Sequence, residues 1–420
     1  MTFLRFLFDC ARQGLQGGRL YWGWIAVLAL VIAQGVAAYV DQLRHGLVVT
    51  GMHDHVPWGV YIANFSFLDG IAASTSLLLI SAFVFDRTYA RRVAMLGAGI
   101  AVAASLSCML FVFVDLGRPE RAWHLVPHLG SLNWPRSMLA WDVVALNGYL
   151  VLNLVVPVHA LYKSWKGEPL RPHAYWGAAM LAIAWAILVQ SIIAFLFSAN
   201  VGRHFWHTAL LGPRFLASSF TAGPAVMILA FRWIDRHTRF QVDARLIRYL
   251  ALLAAVALQI NLFMIMNELF VSLYHRSEHS HSVVYLFFGH EGLHGLVPWI
   301  ATSMTMQVLA CAILMVERLR NSIAWLTAAC VLAIVGVWID KGMGLIVPGF
   351  IPDPRGAYVE YLPTLIETRI SVAIWALGLL VFTFLAKASI PVEVGLLRRA
   401  GVPLPDPSRA RPSMPDALGA

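Results

Sequence analysis

Ten apolar segments, each long enough to cross a bilayer, run through this chain, and they fix its fold class before any motif is read. A spanning helix needs roughly 20 apolar residues, at about 1.5 Å rise each, to cross about 30 Å of hydrocarbon. The segments fall near Leu20–Tyr39, Trp58–Phe85, Arg92–Val114, Met138–Leu161, His173–Phe197, Phe215–Ile234, Tyr249–Leu273, Gly295–Val316, Ile323–Trp338 and Pro363–Leu385. With 59% hydrophobic residues, 13% charged and a mean hydropathy of +0.71, no soluble domain of this size is compatible with the composition. The expectation is an all-α, polytopic helical bundle of about ten transmembrane helices.

Basic residues in the N-terminal stretch, alternate loops and C-terminal tail outnumber those in the opposite loops by 21 to 9. The positive-inside rule then places both termini in the cytoplasm. Topology and attraction to anionic lipid account for the net charge of +9, so no nucleic-acid partner is needed. Arg5, Asp9, Arg12 and Arg19 interrupt the first twenty residues, which lack a cleavage-site pattern and read as the lead-in to an uncleaved first helix. The domain plan is a cytoplasmic N-terminus (1–19), a transmembrane domain (20–395) and a disordered, Pro-rich cytoplasmic tail (396–420).

Four dispersed cysteines, Cys10, Cys108, Cys311 and Cys330, show no CxxC, CxxCH or ferredoxin spacing. No histidine sits near a helix middle, where a b-type haem would need a facing pair. The reading is a chain without haem or iron–sulfur cluster of its own. Twelve of the fifteen histidines lie on one side, the extracytoplasmic side by the charge rule. That side also carries His53, His204, Asp115, Arg118, Arg121, Asp340, Lys341 and Asp353 in its loops. Solvated loops with interfacial anchors explain many of these groups. Asp115, Arg118 and Arg121 differ, because they follow an apolar helix where Gly117 and Pro119 break it, and an oriented Asp/Arg set is expected there.

Acids inside spans are costly and mark proton or substrate paths. Asp69 lies near the midplane of the second span; Asp142 in the fourth and Glu268 in the seventh lie one to two turns from the outer surface. Asn64 and Gln190 are further intramembrane polar groups, for which bonding between helices is the plain alternative. Together they suggest a pocket opening outward. Quinone redox needs an apolar slot, donors to the carbonyls and tunable proton carriers. An ion transporter would use the same inventory, and the residues alone leave both readings open. A third pattern, His290-Glu291-Gly292-Leu293-His294, matches HExxH, and Leu68-Asp69-Gly70 resembles the LDG element of intramembrane metalloproteases. The order of the two motifs is reversed from that family, and Gly289, Gly292 and Gly295 suit a ligand-bearing helix poorly. A zinc protease is the weakest of the three readings.

Longer blocks separate the first two. TGMHDHVPWGVYIANFSFLDGIAAS (Thr50–Ser74), FVFVDLGRPERAW (Phe111–Trp123), NWPRSMLAWDVVALNGYLVLN (Asn133–Asn153), GRHFWHTALLGPRFLASSFTAGPA (Gly202–Ala225) and WIDKGMGLIVPGFIPDPRGAYVEYLPTLIE (Trp338–Glu367) resemble the NrfD/polysulfide-reductase membrane-subunit family, and within it the DsrP branch of complexes associated with dissimilatory sulfite reductase. The resemblance implies a menaquinone- or ubiquinone-reactive anchor in a bacterial inner membrane, exchanging electrons with an extracytoplasmic four-cluster iron–sulfur subunit. It further implies a cytochrome b-like membrane subunit, a cytoplasmic iron–sulfur subunit and a multihaem cytochrome c as partners, in an organism practising sulfur metabolism. Carried onto this sequence, it makes His53, Asn64 and His204 candidate quinone hydrogen-bonding groups and Trp58 and Trp141 ring-packing groups. Asp142, Asp69 and Glu268 become proton acceptors or relays, and Asp115, Arg118 and Arg121 shape the docking loop. The histidine that the family carries beside this asparagine is absent, since Phe65 follows Asn64 here.

Overall fold

A computed structural model describes residues 2–126, 129–275 and 278–399. His128, the side chains of His275, Glu278 and His279, and residues 400–420 of the expected tail lie outside the described residues. The helices are α1 (Thr2–Gly14), α2 (Arg19–His45), α3 (Val60–Val84), α4 (Thr88–Asp115), α5 (Met138–Trp165), α6 (Pro172–Ser198), α7 (Leu211–His237), α8 (Ala244–His275), α9 (Glu278–Phe288), α10 (Val297–Met315), α11 (Ile323–Phe350) and α12 (Leu365–Glu393). All except α1 and α9 contain a window long and apolar enough to span a membrane. The expected helical bundle with ten spans is borne out, and an even number of spans brings the first and last described residues to one end. That end is the terminal end below; the opposite one is the His-rich end.

The bundle is organised around α3, in which every residue from Val60 to Ser74 is buried. A span carrying Asn64, Ser66 and Asp69 cannot turn those groups to lipid, and α3 packs against α4, α6, α7 and the C-terminal part of α11. By contrast α2 buries only Leu28, Gly35, Ala38 and Gln42 and turns most of its surface to lipid. Between spans there is little hydrophobic driving force, so close approach through small residues carries the packing. A Cβ on Gly35 would lie 2.0 Å from that of Ala373 on α12, and one on Gly223 of α7 would lie 1.7 Å from Ser74 Oγ on α3. Gly223→Val is therefore expected to cost at least ~1–3 kcal/mol through overpacking, measurable as a lowered unfolding temperature in detergent.

Two local features depart from the sequence reading. The ninth span is expected to stop at Trp338, with Asp340 and Lys341 in an outer loop. Instead α11 continues through both charges, opens into a π-helical turn at Gly342–Ile346 and closes as a 3-10 turn at Val347–Phe350, all buried. The charges are tolerated because partners on other helices meet them, and π-turns commonly aim side chains at functional sites. The second feature is α9, a short helix in place of a polar loop; its Val283, Tyr285 and Leu286 are buried.

At the His-rich end Glu367 knits three segments together. It completes a capping box with Thr364 at the start of α12 and accepts hydrogen bonds from Gly51 N (2.8 Å) and Tyr361 Oη (2.8 Å). Tyr361 Oη in turn accepts from Val60 N at 2.8 Å, at the first turn of α3. Burial first and Glu367 second push the Tyr361 phenol far above its ordinary range, which keeps it a neutral donor.

Candidate functional site

Within the bundle, seven charged or amide side chains from six helices meet around the His-rich half of α3. Gln190 of α6 donates to Asp69 Oδ2 on α3. Ser219 of α7 lies 2.8 Å from Gln190 Oε1 and receives Lys341 Nζ of α11 at 3.1 Å. Lys341 also reaches the Ser66 carbonyl at 3.4 Å and sits 4.8 Å above the Phe215 ring, a cation–π contact. The preceding residue, Asp340, accepts from Arg214 of α7 at 2.8 Å, and the other arm of that guanidinium binds Glu268 of α8. Asp142 of α5, 2% exposed, lies within electrostatic range of Asp69.

The charges in this cluster are matched unevenly. Arg214 and Lys341 offset Asp340 and Glu268, whereas Asp69 and Asp142 form no ion pair among the described residues. Each has a buried carboxylate oxygen, Oδ1 in both cases, that no protein group hydrogen-bonds. Buried polar atoms are nearly always satisfied, and these two oxygens on neighbouring acids are open hydrogen-bonding positions of the cluster. Beside the Arg214–Glu268 pair lies a cavity of about 10 Å³ lined also by Phe205, Leu269, Phe287 and Gly344, room for about one water.

Gly70 explains how the helices come close enough. A Cβ there would stand 2.4 Å from Ser219 Oγ and 3.0 Å from Lys341 Nζ. Gly70→Ala is expected to displace Ser219 and break the Gln190–Ser219–Lys341 link. The outcome to look for is a lowered unfolding temperature in detergent; an unchanged one would show that Ser219 gives way without loss.

Towards the surface, the other residues named from sequence divide. Trp58 packs in an aromatic box with Trp206 (6.1 Å between centroids, stacked), Phe197 and Phe350. Trp206 donates to the Leu345 carbonyl at 2.8 Å, and Arg203 caps Phe350 from 4.7 Å. His53 is half-buried in a tight turn, its Nδ1 accepting from Val56 N at 3.3 Å and its Nε2 buried without a protein partner. His204 is exposed on the 3-10 turn that carries Trp206. Asn64 is fully committed: its Oδ1 accepts both the Trp338 and Trp375 indoles (2.8 and 2.9 Å) and its Nδ2 donates to Val60 O. Trp141 belongs to a different cluster, 4.1 Å from Trp134 between ring centroids, with its indole on the Pro135 carbonyl. Arg118 and Arg121 are exposed on a 3-10 turn, Arg118 facing Glu120 at 3.9 Å, while Asp115 turns inward and pairs with neither.

The HExxH segment is not a helix. His290 and Leu293 exchange backbone hydrogen bonds across a reverse turn in which Gly289, Glu291 and Gly292 all have positive φ. Its two histidines share no helical face, so the protease reading has no geometric basis. The turn is instead fastened to the 353–364 loop, with His290 stacked on Tyr358 at 4.0 Å and Gly295 N on Glu360 at 2.7 Å. That loop is pinned by Asp353, which accepts from Ala357 N (2.8 Å), Arg355 N (2.9 Å) and His55 (2.8 Å). The Ala357 N–H above all, with His55 and the Arg355 N–H, holds the Asp353 carboxyl below its usual range. For a depressed carboxylate the contribution is complete above the unfolded value of about 3.9 and lost as pH falls through the folded one. Hydrogen-exchange protection over 353–361, corrected for the intrinsic pH dependence of amide exchange, is accordingly expected to be flat between neutral pH and about 5 and to fall only under stronger acid.

Sequence reasoning misses Arg214, the centre of the cluster, and places Lys341 in a loop. Both sit within a turn of an apparent span end, where a basic residue is ordinarily an interfacial anchor. The usable signal is that each lies in a span with small neighbours, Ala217, Ser218 and Ser219 for one and Gly342 and Gly344 for the other.

Comparisons with known proteins agree on the class of molecule. The family profile "Polysulphide reductase, NrfD" matches residues 48–351. The chain is similar to a selenate reductase subunit of Mesobacillus selenatarsenatis, 24% identical over 405 residues, covering 86% of this chain and 92% of that one. It is 27% identical over 235 residues to the Hdr-like menaquinol oxidoreductase integral membrane subunit of Archaeoglobus fulgidus, 56% of each chain. A protein of Halobacterium salinarum, provisionally named as a membrane subunit of dimethyl sulfoxide reductase, is 27% identical over 242 residues, 54% of each. The chain spans about half the length of these last two relatives.

Proposed function

This chain belongs to the polysulphide reductase NrfD family, and from that premise we propose that it is the quinone-reactive membrane subunit of a multi-subunit oxidoreductase. It is a multi-pass membrane protein whose relatives are named as subunits of two reductases and of a menaquinol oxidoreductase. The observation that carries the reading is the buried array from Asp142 and Asp69 to Lys341, Arg214 and Glu268. Placing ions in a bundle costs several kcal/mol each, and hydrophobic residues would pack the same volume at lower cost.

A bound quinone or quinol would supply two-electron redox chemistry coupled to two protons. The residues fit such a ligand: His53 Nε2 offers a buried, uncommitted imidazole nitrogen, the Trp58 box offers apolar planes, and two acids carry free oxygens below. In this reading His53 holds a carbonyl oxygen, with exposed His204 at the entrance, and Trp58 orients the ring. Asn64 acts at one remove, fixing Trp338 and Trp375 against α3. Asp142 holds the exchanged proton beside Asp69, whose carboxylate is held by Gln190 and, through Ser219, linked to the Lys341 ammonium, and Glu268 offsets the charge of Arg214. Trp141 steadies the entry to α5 beside Asp142. Arg118 and Arg121 present the charged surface for an extracytoplasmic four-cluster iron–sulfur subunit, with Asp115 holding the loop from within. The finer assignment is to the DsrP branch in a bacterial inner membrane, with a cytochrome b-like subunit, a cytoplasmic iron–sulfur subunit and a multihaem cytochrome c as companions.

The test is purification through a tag on this chain, with partner identification, an iron count and menaquinol and ubiquinol oxidation assays. Iron–sulfur and cytochrome partners with quinol-driven haem reduction are the expected result. The Lys341–Asp69 array also suits an ion transporter; a chain that purifies alone, inert to quinol, and moves ions in liposomes would establish that reading instead.

A further inference from the structure

The residues before the first span read in sequence as a plain cytoplasmic lead-in, yet they form α1, and α1 has three faces. At 100° per residue, Phe3, Phe6, Cys10 and Gly14 make one stripe, which docks on the terminal end of the bundle. The Phe6 ring is buried 5.5 Å from that of Tyr162 and 5.8 Å from that of Trp165, both on α5. Gly14 faces the Phe384 ring of α12, and its carbonyl accepts the Tyr21 hydroxyl at 2.5 Å. A second stripe, Arg5, Asp9 and Arg12, is polar. The third, Leu4, Leu7, Phe8, Ala11 and Leu15, is apolar and uncovered, with Leu4 69% and Phe8 67% exposed.

A docked face, a polar face and an apolar face roughly 120° apart are what a helix lying flat in a membrane boundary beside its own bundle requires: protein on one side, water on another, acyl chains on the third. The apolar stripe is continuous with the start of α2, where Leu20, Trp22 and Trp24 are exposed at the level of an interfacial aromatic belt. The charges complement a lipid surface too, since Arg5, Arg12 and Arg19 outnumber Asp9. We propose that α1 is an interfacial helix whose Leu4–Phe8–Leu15 stripe is buried in the leaflet at the terminal end, with Arg5 and Arg12 binding anionic phospholipid headgroups. Docked on α5 and α12, it ties lipid composition to two helices of the bundle; α5 is the one that carries Asp142 at its other end.

The test uses the full chain, with the partners it retains, in vesicles of phosphatidylcholine and phosphatidylglycerol. Spin labels are placed singly through Phe8→Cys and Arg5→Cys in a Cys10→Ser background. The label at 8 is expected ~5–10 Å below the headgroups, relaxed by oxygen and protected from a water-soluble nickel chelate, and the label at 5 the reverse. Nickel access at 8 equal to that at 5 would overturn the proposal, and so would protection at 8 from both relaxants, which would mean that protein covers the stripe. Arg5→Gln with Arg12→Gln is expected to lower the phosphatidylglycerol retained per chain in detergent; unchanged retention would overturn the anionic preference. Neither readout involves electron transfer, so this result stands or falls apart from the quinone reading.

Discussion

Asp142→Asn is expected to lower quinol-linked electron transfer by ~10²–10⁴-fold, the usual range for removing a positioned proton carrier, while the complex assembles in normal yield. Asparagine keeps the shape and the hydrogen-bonding size of the side chain but cannot release a proton. Asp142 makes no ion pair, and its Oδ1 makes no hydrogen bond to protein, so its loss strands no partner and the fold has little reason to suffer. Asp142→Glu retains the carboxyl one carbon further out and is expected to recover part of the rate. A variant that assembles and turns over quinol as fast as the parent removes Asp142 from the mechanism. Asp69→Asn should be similar in rate but worse in stability, because Gln190 donates to that carboxylate.

Arg214→Met should instead act on the fold. Arg214 is 5% exposed and holds Glu268 and Asp340 at once. Removing it leaves two carboxylates in the bundle without their cation, and breaking a buried ion pair from one side costs ~3–5 kcal/mol. The measurable consequences are a sharp fall in purified yield and in unfolding temperature. Combining Arg214→Met with Glu268→Gln and Asp340→Asn removes the stranded charge and should restore most of the stability without restoring turnover. That split separates the packing role of the cluster from its electrical role. Wild-type stability in the single variant would show that the three groups do not depend on one another.

How much of this is legible in the sequence follows from what each signal measures. Hydropathy reports long apolar runs, so nine of the ten spans are placed with differences only at their ends. It fails at α11 because Asp340 and Lys341 look like the end of a span when their partners, Arg214 and Ser219, are not yet known to be near. Burial of an ion depends on who meets it, and that is a tertiary fact. Asp69, Asp142 and Glu268 are legible because acids inside apolar runs are expensive wherever they point. Asn64 shows the opposite case: the family resemblance implies a ligand contact, yet two indoles from α11 and α12 occupy its oxygen. No local pattern announces a pair of tryptophans 274 and 311 residues away. The amphipathic α1 is readable from its spacing, but its three faces acquire meaning only once Phe6 is seen against α5.

The measurement that bears most directly on the central claim, that the buried acids exchange protons with a quinone, is redox-difference infrared spectroscopy of the purified complex in lipid. Cycling the quinone is predicted to give a carboxyl C=O band that shifts in D₂O and disappears in Asp142→Asn. A difference spectrum without carboxyl bands, or one unchanged by that substitution, would contradict it.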